Sequence, residues 1–111
     1  MGVSQSTRSV AIAMNASLSG VVYLGAKRIV GIQMPAAWDT ADLTFQSSPD
    51  GATFTDVTIG GSEYSEPAAA SVSISPSPSA IQAPYIKIRS GTSGVPVVQT
   101  AGREIVLTLR R

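Results

Sequence analysis

Apolar side chains in this chain recur at every second position, and no stretch of ten or more residues repeats with the spacing of a helix. The pattern therefore predicts strands. In "SVAIAMN" at residues 9–15, Val10, Ile12 and Met14 share one face while Ala11, Ala13 and Asn15 share the other. "GVVYLG" at 20–25 follows as a second strand. "RIVGIQM" at 28–34 is apolar almost throughout, which suits a central strand covered on both faces, and Gly31 inside it predicts a bulge or a close backbone approach. Pro35 ends it, because proline has no N–H to give to a ladder. "LTFQS" at 43–47 places Leu43, Phe45 and Ser47 opposite Thr44 and Gln46. "SPDG" at 48–51 is a turn in which Pro49 presets φ and Gly51 takes a positive φ. "TFTDVTI" at 53–59 then returns as the hairpin partner, with Phe54 and Val57 expected inward. Late in the chain, "YIKIRS" at 85–90 turns Ile86 and Ile88 to the core and Tyr85, Lys87 and Arg89 outward. "REIVLTLRR" at 103–111 turns Ile105, Leu107 and Leu109 inward.

The connections are irregular. Residues 36–42, "AAWDTAD", link two strands, and Asp39 or Thr40 is placed to cap a single helical turn. Gly60 and Gly61 turn the chain before a short edge strand expected near Tyr64, and weak alternation continues through Val72 and Ile74. "SPSPSAIQAP" at 75–84 and "GTSGVPVVQ" at 91–99 are loops, the second with a few paired residues around Val97. About eight short strands with turn signals every 8 to 12 residues indicate an all-β fold, a single-domain antiparallel sandwich or barrel. The long connections and the missing Cys…Trp…Cys framework favour a jelly-roll sandwich over an immunoglobulin-like one. The expected organisation is an N-terminal arm at residues 1–8 and one domain at 9–111.

Composition narrows the chemistry. Only 14% of the 111 residues are charged and the net charge is +1, with the basic residues scattered rather than clustered, so nucleic acid is not an expected partner. A nearly neutral surface favours association with other protein. The apolar runs "VAIAM" and "IVLTL" are far too short to span a membrane, and the polar start "MGVSQSTRS" has no expected leader. Gly2 with Ser6 fits an acylation pattern and Asn15 a glycosylation sequon, but both are read as ordinary terminal and strand-end residues.

The chain has no histidine and no cysteine, which removes Ser-His and Cys-His nucleophile pairs and the ordinary zinc sites. Asp39 and Asp42 beside Trp38 are the best local candidates for paired acid chemistry, and their expected role is to cap a turn. Asp50 is read as a turn residue rather than a calcium ligand, and "GTSGVP" lacks the lysine and helix of a phosphate cradle. No catalytic, cofactor-binding or metal-binding residue is expected, and the chain is not expected to be an enzyme. Trp38 has two readings: burial at one end of the core with Met34, Pro35, Ala36 and Ala37 around it, which is favoured, or exposure as a platform for stacking on sugar rings.

Two stretches resemble galactose-binding-like, discoidin-type jelly rolls: "LTFQSSPDGATF", a strand running into a Ser-x-Asp-Gly turn followed by an aromatic, and "PYIKIRSG", an aromatic-led strand alternating isoleucine with basic residues. Over its whole length, through "LGAKRIVGIQMPAAWDTADLTFQSSPDG" and "YIKIRSGTSG", the chain is similar to the capsid decoration, or cement, proteins of epsilon-fifteen-like short-tailed phages. That resemblance implies a structural virion protein, made in the host cytoplasm, that binds the outer surface of the phage head and bridges major capsid protein subunits. It also allows a homodimer or homotrimer. Candidate coat-protein contacts, chosen because they lie on expected loops or ends, are Arg8, Tyr64, Pro76, Pro78, Arg110 and Arg111. The alternative is a carbohydrate-binding module on a virion or cell surface, with Trp38 and Tyr64 as the stacking residues.

Overall fold

In the computed structural model, which describes residues 5–77 and 81–111, the alternating segments form eleven strand segments and, among the described residues, no helix. They are β1 (Gln5–Ile12), β2 (Val22–Tyr23), β3 (Arg28–Gln33), β4 (Leu43–Ser48), β5 (Thr55–Asp56), β6 (Thr58–Ile59), β7 (Ser62–Glu63), β8 (Ser65–Glu66), β9 (Ser73–Ile74), β10 (Tyr85–Ser90) and β11 (Arg103–Arg110). The fold is all-β and every pairing is antiparallel. One sheet has the order β1-β11-β3-β9; a second has β2-β10-β4-β5, with β8 also beside β4; β6 and β7 form a separate hairpin.

Both sheets turn their inward residues into one buried cluster. Ile12, Ile29, Ile32, Ile105, Leu107 and Leu109 come from the first sheet, and Val22, Leu43, Phe45, Ile86 and Ile88 from the second. The inward faces of β10 and β11 are those the alternation predicts. In β3 the pattern needs one correction. Thr108 pairs with Gly31 and Leu109 with Ile29, so Val30 is an extra residue in the ladder. This bulge, expected from Gly31, explains how Ile29 and Ile32, three positions apart, can both face the core. β3 is covered on that face only, since Val30 and Gly31 are half-buried and Gln33 is exposed.

The "SPDG" turn forms as its chemistry dictates. Gly51 has φ 80°, and the Asp50 carboxylate accepts from the backbone N–H of Ala52 at 2.8 Å and of Thr53 at 3.1 Å. These donors hold the Asp50 carboxyl below its usual range.

Three expectations are revised. Residues 5–8 are not an arm but the first half of β1, paired with β11 without interruption from Gln5↔Arg110 to Ile12↔Arg103. Polar side chains suggested a free segment, yet backbone pairing is indifferent to polarity where the side chains reach water. No helical turn forms over residues 36–42. Phe54 is half-buried rather than in the core, with the Lys87 ammonium 4.6 Å from its ring centre.

Candidate interaction surface

The sandwich has two flanks, each made by one edge strand from each sheet. On the first, β9 ends one sheet and β5 and β8 end the other. All three are two residues long. Side chains tie this flank shut. Tyr64, between β7 and β8, is buried, stacks on Phe45 with ring centres 5.6 Å apart, donates its hydroxyl hydrogen to Glu66 and accepts from Ser77 N–H at 3.2 Å. Burial, then the Glu66 hydrogen bond, pushes the phenol up to about 12. Tyr64 is therefore no exposed contact. Pro76, also expected on an open loop, is buried beside this tie. Pro78 lies outside the described residues.

The outer face of the second sheet carries the main surprise. Arg89, expected in water, is 7% exposed. Its guanidinium donates to Asp56 at 2.8 Å, Glu63 at 2.9 Å and Thr44 Oγ1 at 3.3 Å, and Glu63 in turn accepts from Ser93 N–H at 3.1 Å. The hydrogen bond from Arg89 holds the Asp56 carboxyl below its usual value despite some desolvation. Alternation correctly put Arg89 on the outer face, but that face is roofed here by the β6–β7 hairpin and the loop after Gly91. The roof depends on Gly91 (φ 90°), where a side-chain Cβ would stand 2.5 Å from the Val95 carbonyl oxygen.

At the end of the sandwich where β11 begins, Gln99 is fully buried and uses both ends of its amide. Its oxygen accepts from Asp39 N–H at 2.9 Å and Arg103 Nε at 3.0 Å; its nitrogen donates to Asp39 O at 3.1 Å and Ser90 Oγ at 2.8 Å. Asp39 closes the knot through Arg103 at 3.1 Å and Thr100 N–H at 2.6 Å, the latter contributing most to its lowered pKa. Trp38 is half-buried against the core, with its indole N–H donated to Ala41 O at 3.0 Å. Asp39 and Trp38 thus fasten a loop. Nothing in the short run "VVQTAG" signals the role of Gln99.

The opposite flank is open. Here β1 and β2 are the edges, each paired on one side only among the described residues. Between them runs a groove of about 290 Å³ lined by residues 8–11 and 20–23. Val10 and Val22 form its buried floor, while Val21 and Tyr23 stand 50% and 58% exposed at its lip. Tyr23 continues the apolar surface onto Tyr85, ring centres 5.1 Å apart. Arg8 sits in the groove, exposed, its guanidinium reaching the Thr7 carbonyl at 3.3 Å; among the described residues no carboxylate meets it.

Arg110 and Arg111 are exposed at the end where β1 starts. Arg110 donates to Gln5 Oε1 at 3.2 Å, and Arg28 donates to the Arg111 carbonyl at 2.7 Å. With Lys27, bonded to Ser6 Oγ at 2.9 Å, they make a basic end beside a shallow groove of about 250 Å³ lined by residues 25–28 and 82–84. Of the sequence candidates, Arg8, Arg110 and Arg111 stay accessible. Among the described residues, no group of acidic side chains is arranged to hold a metal ion. Neither protein-family models nor curated proteins give a match to the chain.

Proposed function

We propose that this protein is a jelly-roll capsid decoration protein that binds the outer surface of a phage head and bridges coat protein subunits through its open flank. The observation that carries the reading is the contrast between the flanks: one sealed by Tyr64 and short edges, the other presenting a long free strand, apolar lip residues and an arginine that meets no carboxylate among the described residues. Exposed apolar surface beside a long strand edge guarded by a single charge favours a docking place for another protein. The jelly-roll reading is supported by strand order. Taking β5 with β8 as one position and leaving out the β6–β7 hairpin, the sheets number 1-8-3-6 and 2-7-4-5, the order that two interlocked Greek keys produce.

The carbohydrate alternative has less support: Tyr64 is buried, and Trp38 is half-buried against the core, with its N–H donated to its own loop. The decoration reading is tested by mixing the purified protein with undecorated shells of the coat protein and following their thermal rupture. Binding with a raised rupture temperature is expected; absence of both eliminates the reading.

A further inference from the structure

We infer that the β1–β2 groove receives an extended segment of the partner protein, added as a new strand on the free edge of β1, with a carboxylate of that segment meeting Arg8. The inference rests on the decoration reading and specifies how the coat protein is gripped.

The backbone supplies the first argument. β1 runs eight residues with unbroken register to β11, so every second residue points its N–H and C=O away from the sheet. Edges of this length are normally blunted by proline, a bulge, a covering element or charged side chains, inward-pointing ones included. β1 contains no proline, lysine or bulge, and its one guard is the inward-pointing charge of Arg8, which bars an incoming strand unless that strand brings a carboxylate. The edges on the closed flank show the usual protection: they are two residues long.

Side chains supply the second argument. Arg8 is in phase with Val10 and Ile12, so it projects on the core side of β1, into the groove rather than over the outer face. Arg89 and Arg103, the arginines whose side chains are well covered, have carboxylate partners within 3.1 Å; Arg8 is exposed and meets no carboxylate among the described residues. A strand laid along β1 would set alternate side chains over Val10, Val22 and Val21, and a carboxylate two positions along would reach Arg8. Strand addition draws affinity from the backbone ladder and specificity from such alternate positions.

Charge selects the occupant. A second copy pairing through its own β1 brings no acidic residue, since "QSTRSVAI" has none, and sets two Arg8 side chains near the same axis. The partner segment must carry the acid.

The test measures backbone amide exchange in β1, free and bound to undecorated shells, alongside shell affinity of Arg8→Glu, Val21→Lys and the control Lys87→Glu. Unchanged unfolding midpoints establish that the variants fold. Expected are slowed exchange at alternate β1 amides on binding, affinity at least about tenfold lower for Arg8→Glu and Val21→Lys as a desolvated charge pair and its apolar surround are lost, and no change for Lys87→Glu. If shells bind but β1 exchange and Arg8→Glu affinity are unaltered, strand addition is wrong while decoration stands. If shells do not bind at all, the decoration reading falls and this inference with it. Self-association in sedimentation that Val21→Lys abolishes would assign the edge to a second copy and overturn the partner named here.

Discussion

The two flanks of the sandwich are built from the same kinds of residue and finished in opposite ways. On the β9 side, an aromatic stack, a tyrosine hydroxyl and short strands close the gap between the sheets. On the β1 side, a strand four times as long as β9 is left bare above a groove. Free backbone edges are an association hazard, and here one is suppressed and the other kept. The lesson is that polar ties in this molecule, including Arg89 and Gln99, hold its own loops, whereas the surface free to act is the one with the fewest ties.

Removing the stack on the closed flank should cost most. Phe45→Ala is expected to destabilise by about 4 kcal/mol in urea unfolding, because it empties a fully buried site and releases Tyr64. Next comes the roof over the second sheet. Arg89→Met is expected to lose about 2 kcal/mol, since it removes the shared partner of Asp56 and Glu63, whose own access to water limits the cost, and adding Asp56→Asn with Glu63→Gln should restore part of that loss. The depressed pKa values of Asp56, Asp39 and Asp50 contribute stability that is complete above the ordinary carboxylate value of 3.8 and lost as pH falls below it. Arg89→Met should therefore flatten part of the acid limb of a stability–pH curve.

A smaller effect is expected at Tyr64. Tyr64→Phe should cost about 1 kcal/mol at neutral pH by deleting the hydroxyl's two hydrogen bonds. The phenol's pKa is raised from 10.0 to about 12, so the wild-type contribution is complete below pH 10 and lost as pH rises through 12. The variant should lack that alkaline loss. Smallest of all is the open flank: Tyr23→Ser should change unfolding free energy by no more than about 0.5 kcal/mol while weakening shell binding. A large stability loss there would show that the lip residues serve the fold and would erase the contrast.

Much of the fold was legible because period-two alternation is a local signal. β10 and β11 carry their isoleucines and leucines inward as the pattern requires, and Gly31 announced the bulge that keeps Ile29 and Ile32 in the core. What alternation cannot show is what lies over a face. Arg89 is on the predicted side of its strand, yet buried, because Glu63 comes from a hairpin 26 residues away. Tyr64 and Pro76 looked like loop residues because "GGSEYSEP" and "SISPSP" are polar around them, yet both are buried, Tyr64 because Phe45 and Ser77 reach it from other parts of the chain. The polar start of β1 concealed a strand for the same reason: its partner, β11, lies at the far end of the sequence.

The most direct test is an image reconstruction of decorated shells at a resolution that separates strands. The account predicts coat protein density running along β1 and over Val21 and Tyr23, with the Tyr64 flank facing away from the contact. Coat density against β9 and the Tyr64 flank, with β1 bare to solvent, would contradict it.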